Sequence, residues 1–341
     1  MKLIRTEDAV GHVLCHDMTQ IIPGVYKDAR FRKGHIVTEE DIPVLLAMGK
    51  ENLYIWEKTE GMLHEDEAAL CLRDLCISEH MHCTPVKEGK VELIADAEGL
   101  FEVDTERLSA VTEIGELMIA TRHTHTAVRP GDELAGMRVI PLVIDARKMA
   151  RAERAAGGKP LLRLTPWKLK TAAVVITGSE VAKGLIQDRF TPVVRQKLAG
   201  FGIETVSETM CGDDQETIRG AIAEAHERGT DLICCTGGMS VDPDDRTPGA
   251  IARSGVSIVT YGAPTLPGAM FCLGYFDDGT PVVGLPGCVM YAKATIFDLV
   301  LPRIAAGATL TRADFIRLGH GGLCLGCREC HYPACGFGKG S

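Results

Sequence analysis

The sequence predicts an α/β protein: a three-layer α/β/α domain, with a β-rich α+β region before it and a Cys-rich tail after it. Three observations lead there. Apolar runs at residues 172–176 and 231–235 each end in a polar, glycine-bearing turn, and two segments of helical spacing lie between them, as a parallel sheet with crossover helices requires. Upstream, short strand patterns at 91–95, 100–103, 117–120 and 137–144 are separated by turn residues such as Pro130-Gly131. Downstream, Cys324, Cys327, Cys330 and Cys335 crowd into a glycine-rich stretch.

In order along the chain, Val10, Val13, Leu14 and the turn at Pro23-Gly24 suggest short strands. Thr38 offers an N-cap for a helix running through Met48 to a stop at Gly49, and residues 52–56 form the next strand, so residues 1–58 read as a small α+β module. Residues 59–158 read as the β-rich domain. It opens with a helix over 64–78 that buries Ala68, Cys71, Leu72, Leu75 and Cys76. His80, His82 and Cys83 with Cys76 are candidate metal ligands, but their spacing fits no familiar site and suits an ordinary helix end. Arg122, His123 and His125 alternate after a strand, a pattern more typical of a solvated face than of a phosphate site. A charged helix, 146–156, ends at Gly157-Gly158-Lys159-Pro160, the expected domain boundary.

Residues 159–307 form the α/β domain. Thr191-Pro192 is expected to open a helix with Val194, Leu198 and Phe201 on one face. A strand over 203–207 leads to the polar turn Cys211-Gly212-Asp213-Asp214, whose aspartates suit the start of the next helix, with Ile218, Ala221, Ile222 and Ala225 buried. Thr236-Gly237-Gly238 ends the following strand, and Thr247-Pro248 reads as an N-cap with proline at the first helical position. Strands over 256–260 and 281–285 complete the sheet, and a helix over 291–305 closes the domain, bent or broken at Pro302. Ligands of such sheets sit at the carboxyl ends of the strands, where these polar turns fall. Gly237 and Gly238 permit close backbone approach, and Asp242, Asp244 and Asp245 could hold magnesium or accept hydrogen bonds from a nitrogen-rich ring; the same residues also build an ordinary solvated turn.

Residues 308–341 form the tail, too rich in glycine to hold itself together by an apolar core. Its four cysteines are separated by two, two and four residues. That spacing favours a [4Fe–4S] cluster, with a zinc site as the competitor and a flexible tail of free thiols as the bland alternative. The remaining nine of the 13 cysteines are scattered, and Cys234, Cys235 and Cys272 lie in apolar runs where cysteine packs as a small core residue.

Composition sets limits on partners. Hydrophobic residues make up 45% of the 341, ample for packed cores, and the formal net charge of -9 argues against a general nucleic-acid binder. A run of about 18 apolar residues is missing, and the charged start lacks a signal-peptide core, so a membrane location is not expected and a cytoplasmic one is.

Four pieces in order, TGSEV at 177–181, GDDQETI at 212–218, TGGMSVDPDDRTP at 236–248 and GLPG at 284–287, resemble the molybdopterin-binding domain shared by the adenylyltransferase and the molybdenum-inserting transferase of molybdenum-cofactor biosynthesis. The whole chain is similar to a less characterised group of molybdopterin-binding proteins. The resemblance implies that Thr177, Gly178, Ser179, Asp213, Gly237, Gly238, Ser240, Asp242, Pro286 and Gly287 bind the pterin. It implies acid/base work by Asp245 and Glu180, with magnesium, ATP and molybdate as co-reactants, assembly partners or molybdoenzymes as clients, and a homo-oligomer. In two places the chain departs from the inserting enzymes: residues 262–269 lack the expected lysine, and Cys288-Val289 replaces Asn-Pro. Two functions stay open, an enzyme of cofactor assembly and a protein that binds, senses or delivers the cofactor through a metal- or redox-responsive tail.

Overall fold

A computed structural model describes residues 2–55, 60–240, 242 and 245–340. The chain divides into two units, one formed by Met1–Asp96, Val103–Arg122 and Pro130–Arg163, the other by Ala97–Glu102, His123–Arg129 and Leu164–Ser341.

In the first unit, Lys2–Arg5 pairs with Asn52–Ile55, and Met18–Ile22 with Tyr26–Phe31, over a core of Leu14, Met18, Phe31, Val37, Leu45 and Leu53. The helix expected from Thr38 opens later, over Asp41–Ala47. The Asp41 carboxylate accepts from the Thr38 amide (2.9 Å) and hydroxyl (2.8 Å), so the acceptor is the aspartate and not the threonine. Trp56, the expected strand end, and Lys58, the expected module end, lie outside the described residues.

Helix Glu65–Cys76 is opened by a capping box in which the ring of His64 accepts from the Asp66 amide while Glu67 accepts from the His64 amide. Ala68, Leu72 and Cys76 of the expected stripe are buried, and Cys71 and Leu75 half-buried. An antiparallel sheet follows in the order Met81–Cys83, Lys90–Ala95, Glu133–Val139, Leu117–Thr121. The single strand expected over 137–144 is two: after Val139 the chain turns, and Val143–Asp145 pairs elsewhere, with Met62–His64. Pro141 lies at the break, and having no N–H it cannot serve an interior ladder. Helix Ala146–Ala156 is closed by Gly157 at φ 67°, a left-handed cap.

The second unit holds the core sheet. Its strands are β1 (Thr171–Ile176), β2 (Glu204–Met210), β3 (Leu232–Thr236), β4 (Ser257–Tyr261), β5 (Cys272–Tyr275) and β6 (Pro281–Leu285), in the order β2-β1-β3-β6-β5-β4. The first four in that order are parallel; β5 runs antiparallel to both neighbours. β5 escapes the sequence pattern because four residues with a central glycine are too short to show a period.

Alternation along the strands sorts side chains onto two covered faces. Ala172, Val174 and Ile176 of β1 pack with Val194 and Leu198 of α1 (Phe190–Ala199) and Phe297 and Leu301 of α4 (Ile296–Ala305). Ala173 and Val175 pack with Ile218 and Ile222 of α2 (Gln215–Glu227) and Ile251 of α3 (Thr247–Arg253). The result is the three-layer α/β/α arrangement. Cys234, Cys235 and Cys272 are buried in it, and burial pushes the Cys272 thiol up to about 12, which suits inert core residues.

Helix starts differ from expectation where a distal acceptor takes over. α1 begins at Phe190 because Asp188 accepts from the Phe190 (2.8 Å) and Thr191 (3.2 Å) amides. α4 begins at Ile296, not 291, under a capping box between Thr295 and Asp298. Pro302 lies inside α4, which runs on to Ala305 instead of breaking. A proline at 302 leaves the carbonyl of Asp298 without its helical N–H, and the Tyr332 hydroxyl donates to that oxygen at 2.7 Å. Tyr332 is buried, with its hydroxyl pushed well up by that burial and by Asp298 and Cys335, so it remains a donor at neutral pH.

The tail is therefore held by the domain it follows. Gly338 N–H donates to Gly321 O (2.9 Å), Cys324 N–H to Leu266 O and Leu266 N–H to Gly322 O (both 2.8 Å), and Phe337 is buried. Tyr332→Phe should leave one buried carbonyl unpaired and cost about 1–3 kcal/mol. The expected result is faster proteolysis within 319–341 and a lower melting temperature; equal protease sensitivity would show that this bond does not hold the tail.

Candidate functional site

The turns leaving β1, β2, β3 and β6 lie at the carboxyl ends of parallel strands. Thr177, just after β1, donates from its amide (2.8 Å) and hydroxyl (3.0 Å) to the carbonyl of Thr236 at the end of β3. Its hydroxyl also lies 3.0 Å from Thr247 Oγ1. Because the Thr177 hydrogen is spent on Thr236, Thr247 is the donor of that pair. This corrects the reading of Thr247 as an N-cap: α3 starts at Thr247 itself, Arg246 stands at the cap position without a side-chain bond, and the threonine hydroxyl ties two turns together.

The paired aspartates divide two roles. Asp213 Oδ2 accepts from the Ser179 amide at 2.8 Å, joining the turn after β2 to the turn after β1. Asp214 caps α2 by accepting from the Thr217 amide (2.9 Å) and hydroxyl (2.8 Å), and those bonds hold its carboxyl below the usual range. In the turn after β1, Gly178 adopts φ 129°, open only to glycine in practice. Glu180 is exposed, and its side chain has no partner among the described residues.

Gly237 and Gly238 both have positive φ, 87° and 57°. A Cβ on Gly237 would stand 2.4 Å from Thr177 O, and one on Gly238 2.7 Å from Thr247 Oγ1. Here the glycines let one turn pack on another, a structural need the sequence pattern did not distinguish from ligand approach. Beyond them, Ser240 N–H donates to Asp245 Oδ2 (2.7 Å), Asp245 N–H to Asp242 O (2.9 Å) and Thr247 N–H to Gly238 O (3.3 Å). Val241, Pro243 and the candidate Asp244 lie outside the described residues.

Pro286 and Gly287 follow β6, whose Leu285 is in register with Thr236. Pro286 is buried and Gly287 exposed. The structure thus links Thr177, Ser179, Asp213 and Gly238 through hydrogen bonds and glycine contacts, links Ser240, Asp242 and Asp245 in a second loop, and sets Glu180 apart on the surface. Two contacts were not read from sequence: the Thr247 hydroxyl, expected as an N-cap, bonds to Thr177, and Tyr261, whose hydroxyl lies 3.3 Å from Met239 O, supports the loop from β4. Burial, with Cys272 and Asp245 nearby, pushes the Tyr261 hydroxyl up.

The hydroxyl of Thr236, buried at the base of these turns, has no hydrogen-bond partner among the described residues. Among the described residues no three His, Cys, Asp or Glu side chains are grouped so as to hold a metal ion. Among the described residues, neither the aspartates of the turns nor the tail cysteines are grouped in this way; Cys327 is exposed and Cys324, Cys330 and Cys335 are half-buried free thiols. Upstream, Cys76 is fully buried with its thiol pushed up to about 12, His82 pairs with Asp96 (2.6 Å), and Arg122 pairs with Asp132 (3.2 Å).

Comparison with known proteins adds the following. Residues 173–306 match the family described as a probable molybdopterin binding domain, and residues 3–57 match a domain of unknown function (DUF8806). CinA-like protein of Mycobacterium tuberculosis (strain ATCC 25177 / H37Ra) is 39% identical over 82 residues, 24% of this chain and 19% of that protein. CinA-like protein of Mycobacterium avium (strain 104) is 35% identical over 82 residues, with the same shares. These matches span about a fifth of the relatives' length, 19% in each case. Among solved structures, the molybdopterin biosynthesis enzyme MoaB of Thermus thermophilus is 22% identical, covers 40% of this chain and 91% of its own, and has a TM-score of 0.34. CinA of Thermoplasma acidophilum, of unknown function, is 18% identical, with shares of 40% and 98% and a TM-score of 0.35. No helix among the described residues is long and apolar enough to cross a membrane. The core of this chain, residues 173–306, is thus similar to the family described as a probable molybdopterin binding domain.

Proposed function

We propose that the core domain binds molybdopterin at the joined turns and acts in the cytoplasm, as a homo-oligomer, in the assembly of the molybdenum cofactor, activating the pterin by adenylation or loading it with molybdate. The observation that carries this reading is the hydrogen-bonded convergence of three separated motifs, Thr177–Ser179, Asp213 and Gly238–Thr247, at the carboxyl ends of parallel strands. Their donor set fits the ligand. Hydroxyls and carboxylates can pair with a nitrogen-rich ring, and the unpartnered Thr236 hydroxyl supplies one more polar group. Magnesium is assigned to the phosphates of the ligand or ATP, where Asp242 and Asp245 could meet it, since the described residues present no ready metal site of their own.

A second reading, binding and delivery without turnover, is favoured by the missing lysine in 262–269 and by Cys288-Val289 in place of Asn-Pro. Incubation with molybdopterin, ATP, magnesium and molybdate, followed by chromatography of the released pterin, separates the two. An adenylated or metal-loaded product supports the enzyme. Pterin bound but unchanged supports delivery, and no binding rejects both.

Asp245→Asn tests the acid/base assignment. The asparagine oxygen can still accept from the Ser240 amide, so the loop keeps its shape while the charge is lost. Turnover should fall by about a hundredfold or more, in the range of general acid–base catalysis, with binding nearly unchanged. Parental turnover in Asp245→Asn together with loss in Asp242→Asn would transfer the role to Asp242.

A further inference from the structure

The N-terminal module holds a cavity that the core domain's chemistry leaves unused. It has a volume of about 620 Å3, lies open to solvent, and has Arg30, Phe31, Arg32, Lys33, His35 and Val44 in its wall, with Asp41 as the acidic lining residue. We propose that this cavity binds a phosphate monoester carried on a small apolar or aromatic body.

The charge argument rests on which cations are already engaged. Lys33 is held by Asp66 and by His64 Nδ1 (2.9 Å), and His35 Nε2 by Asp41 Oδ2 (2.7 Å). Backbone donors of the turn are taken as well: Lys33 N–H by Asp17 Oδ1 (2.7 Å), Gly34 N–H by Leu14 O (2.9 Å) and His35 N–H by Arg32 O (3.0 Å). Arg30 and Arg32 differ. Both are exposed, and no hydrogen bond or close ion pair engages either among the described residues, although Arg32 lies near enough to Asp28 to help lower its carboxyl. Their acidic neighbour Asp28 is occupied by the Ala29 amide (2.8 Å) and Lys87 (3.5 Å).

Arg30, near the end of the strand, and Arg32, just beyond it, both line the cavity. Two planar guanidinium forks match the oxygens and the double charge of a phosphate monoester better than a single carboxylate, which one fork satisfies. The adjoining wall is apolar: Phe31 is buried against the His35 ring (centroids 5.1 Å apart), and Val44 is half-buried. It would cover the body of the ligand while the arginines hold its phosphate.

Calorimetric titration of the full chain at low salt with phenyl phosphate, inorganic phosphate and benzoate tests this. Phenyl phosphate should bind more tightly than either of the others, and the double variant Arg30→Gln/Arg32→Gln should lower its affinity at least tenfold without a change in melting temperature. Thr247→Val, in the core domain, should leave it unchanged. Equal affinity for inorganic phosphate would overturn the apolar contribution, and equal affinity for benzoate the preference for phosphate. Undiminished binding by the double variant, or loss in Thr247→Val, would overturn the site.

Discussion

Gly238→Val is expected to lower molybdopterin affinity by about a hundredfold or more. At φ 57° a β-branched residue is strained by about 1–3 kcal/mol, and its Cβ would fall 2.7 Å from Thr247 Oγ1 and 3.2 Å from Thr177 Oγ1. Relief of that overlap requires the two hydroxyls to part, which breaks the bond joining the turn after β1 to the start of α3. Strain and lost bond together approach the roughly 2.7 kcal/mol that a hundredfold change in affinity represents. Since the damage passes through the protein's own packing, circular dichroism and melting must accompany the titration. Thr247→Val provides the second arm: it keeps the φ angles and removes only the hydroxyl, and should weaken pterin binding by about tenfold, the worth of one hydrogen bond. A folded Gly238→Val protein with parental affinity would remove these turns from the pterin site.

Cys327→Ser is expected to abolish metal loading of the tail. Cys324, Cys327, Cys330 and Cys335 all fall between Gly321 and Gly338, whose backbones are hydrogen-bonded at 2.9 Å, so the loop bearing the four thiols is closed at its neck. That closure lowers the entropy of gathering ligands, and the short gaps between them suit a [4Fe–4S] cluster better than zinc, whose structural sites join separated pairs. Metal uptake would tie the four thiols together, so order should rise with loading. Anaerobically purified protein should be brown and contain iron and sulfide, both lost in Cys327→Ser. One equivalent of zinc without iron after reconstitution would replace the cluster and keep the ligands, and no bound metal would reject the site.

Much of the fold was legible because it depends on local periodicity. Runs such as 172–176 and 232–236 are apolar at nearly every position because helices cover both faces of the sheet, and α2 shows its stripe of Ile218, Ala221, Ile222 and Ala225 without reference to any partner. The rim of polar turns followed from the same pattern, since strands that run parallel present their carboxyl ends together. β5 and the split of 133–145 were not legible: in one case four residues are too few to show a period, and in the other the partner strand Met62–His64 lies about 80 residues away in the chain.

Hydrogen-bond partners were decided by tertiary structure. Asp213 and Asp214 are chemically equivalent neighbours, yet one reaches back to Ser179 and the other caps its own helix, because only one is placed against the turn after β1. Thr247 precedes proline as an N-cap would, but its hydroxyl meets Thr177, 70 residues earlier. Pro302 marks a weak point in a helix from sequence alone; that the helix continues, with its orphaned carbonyl answered by Tyr332 of the tail, depends on where the chain returns. Sequence determined which segments are strands and helices and which turns carry the polar groups, since those follow from spacing along the chain. Only the folded structure decided which of those groups are spent on each other and which, like the hydroxyl of Thr236, remain without a partner among the described residues, because that choice is made across distances the local pattern does not encode.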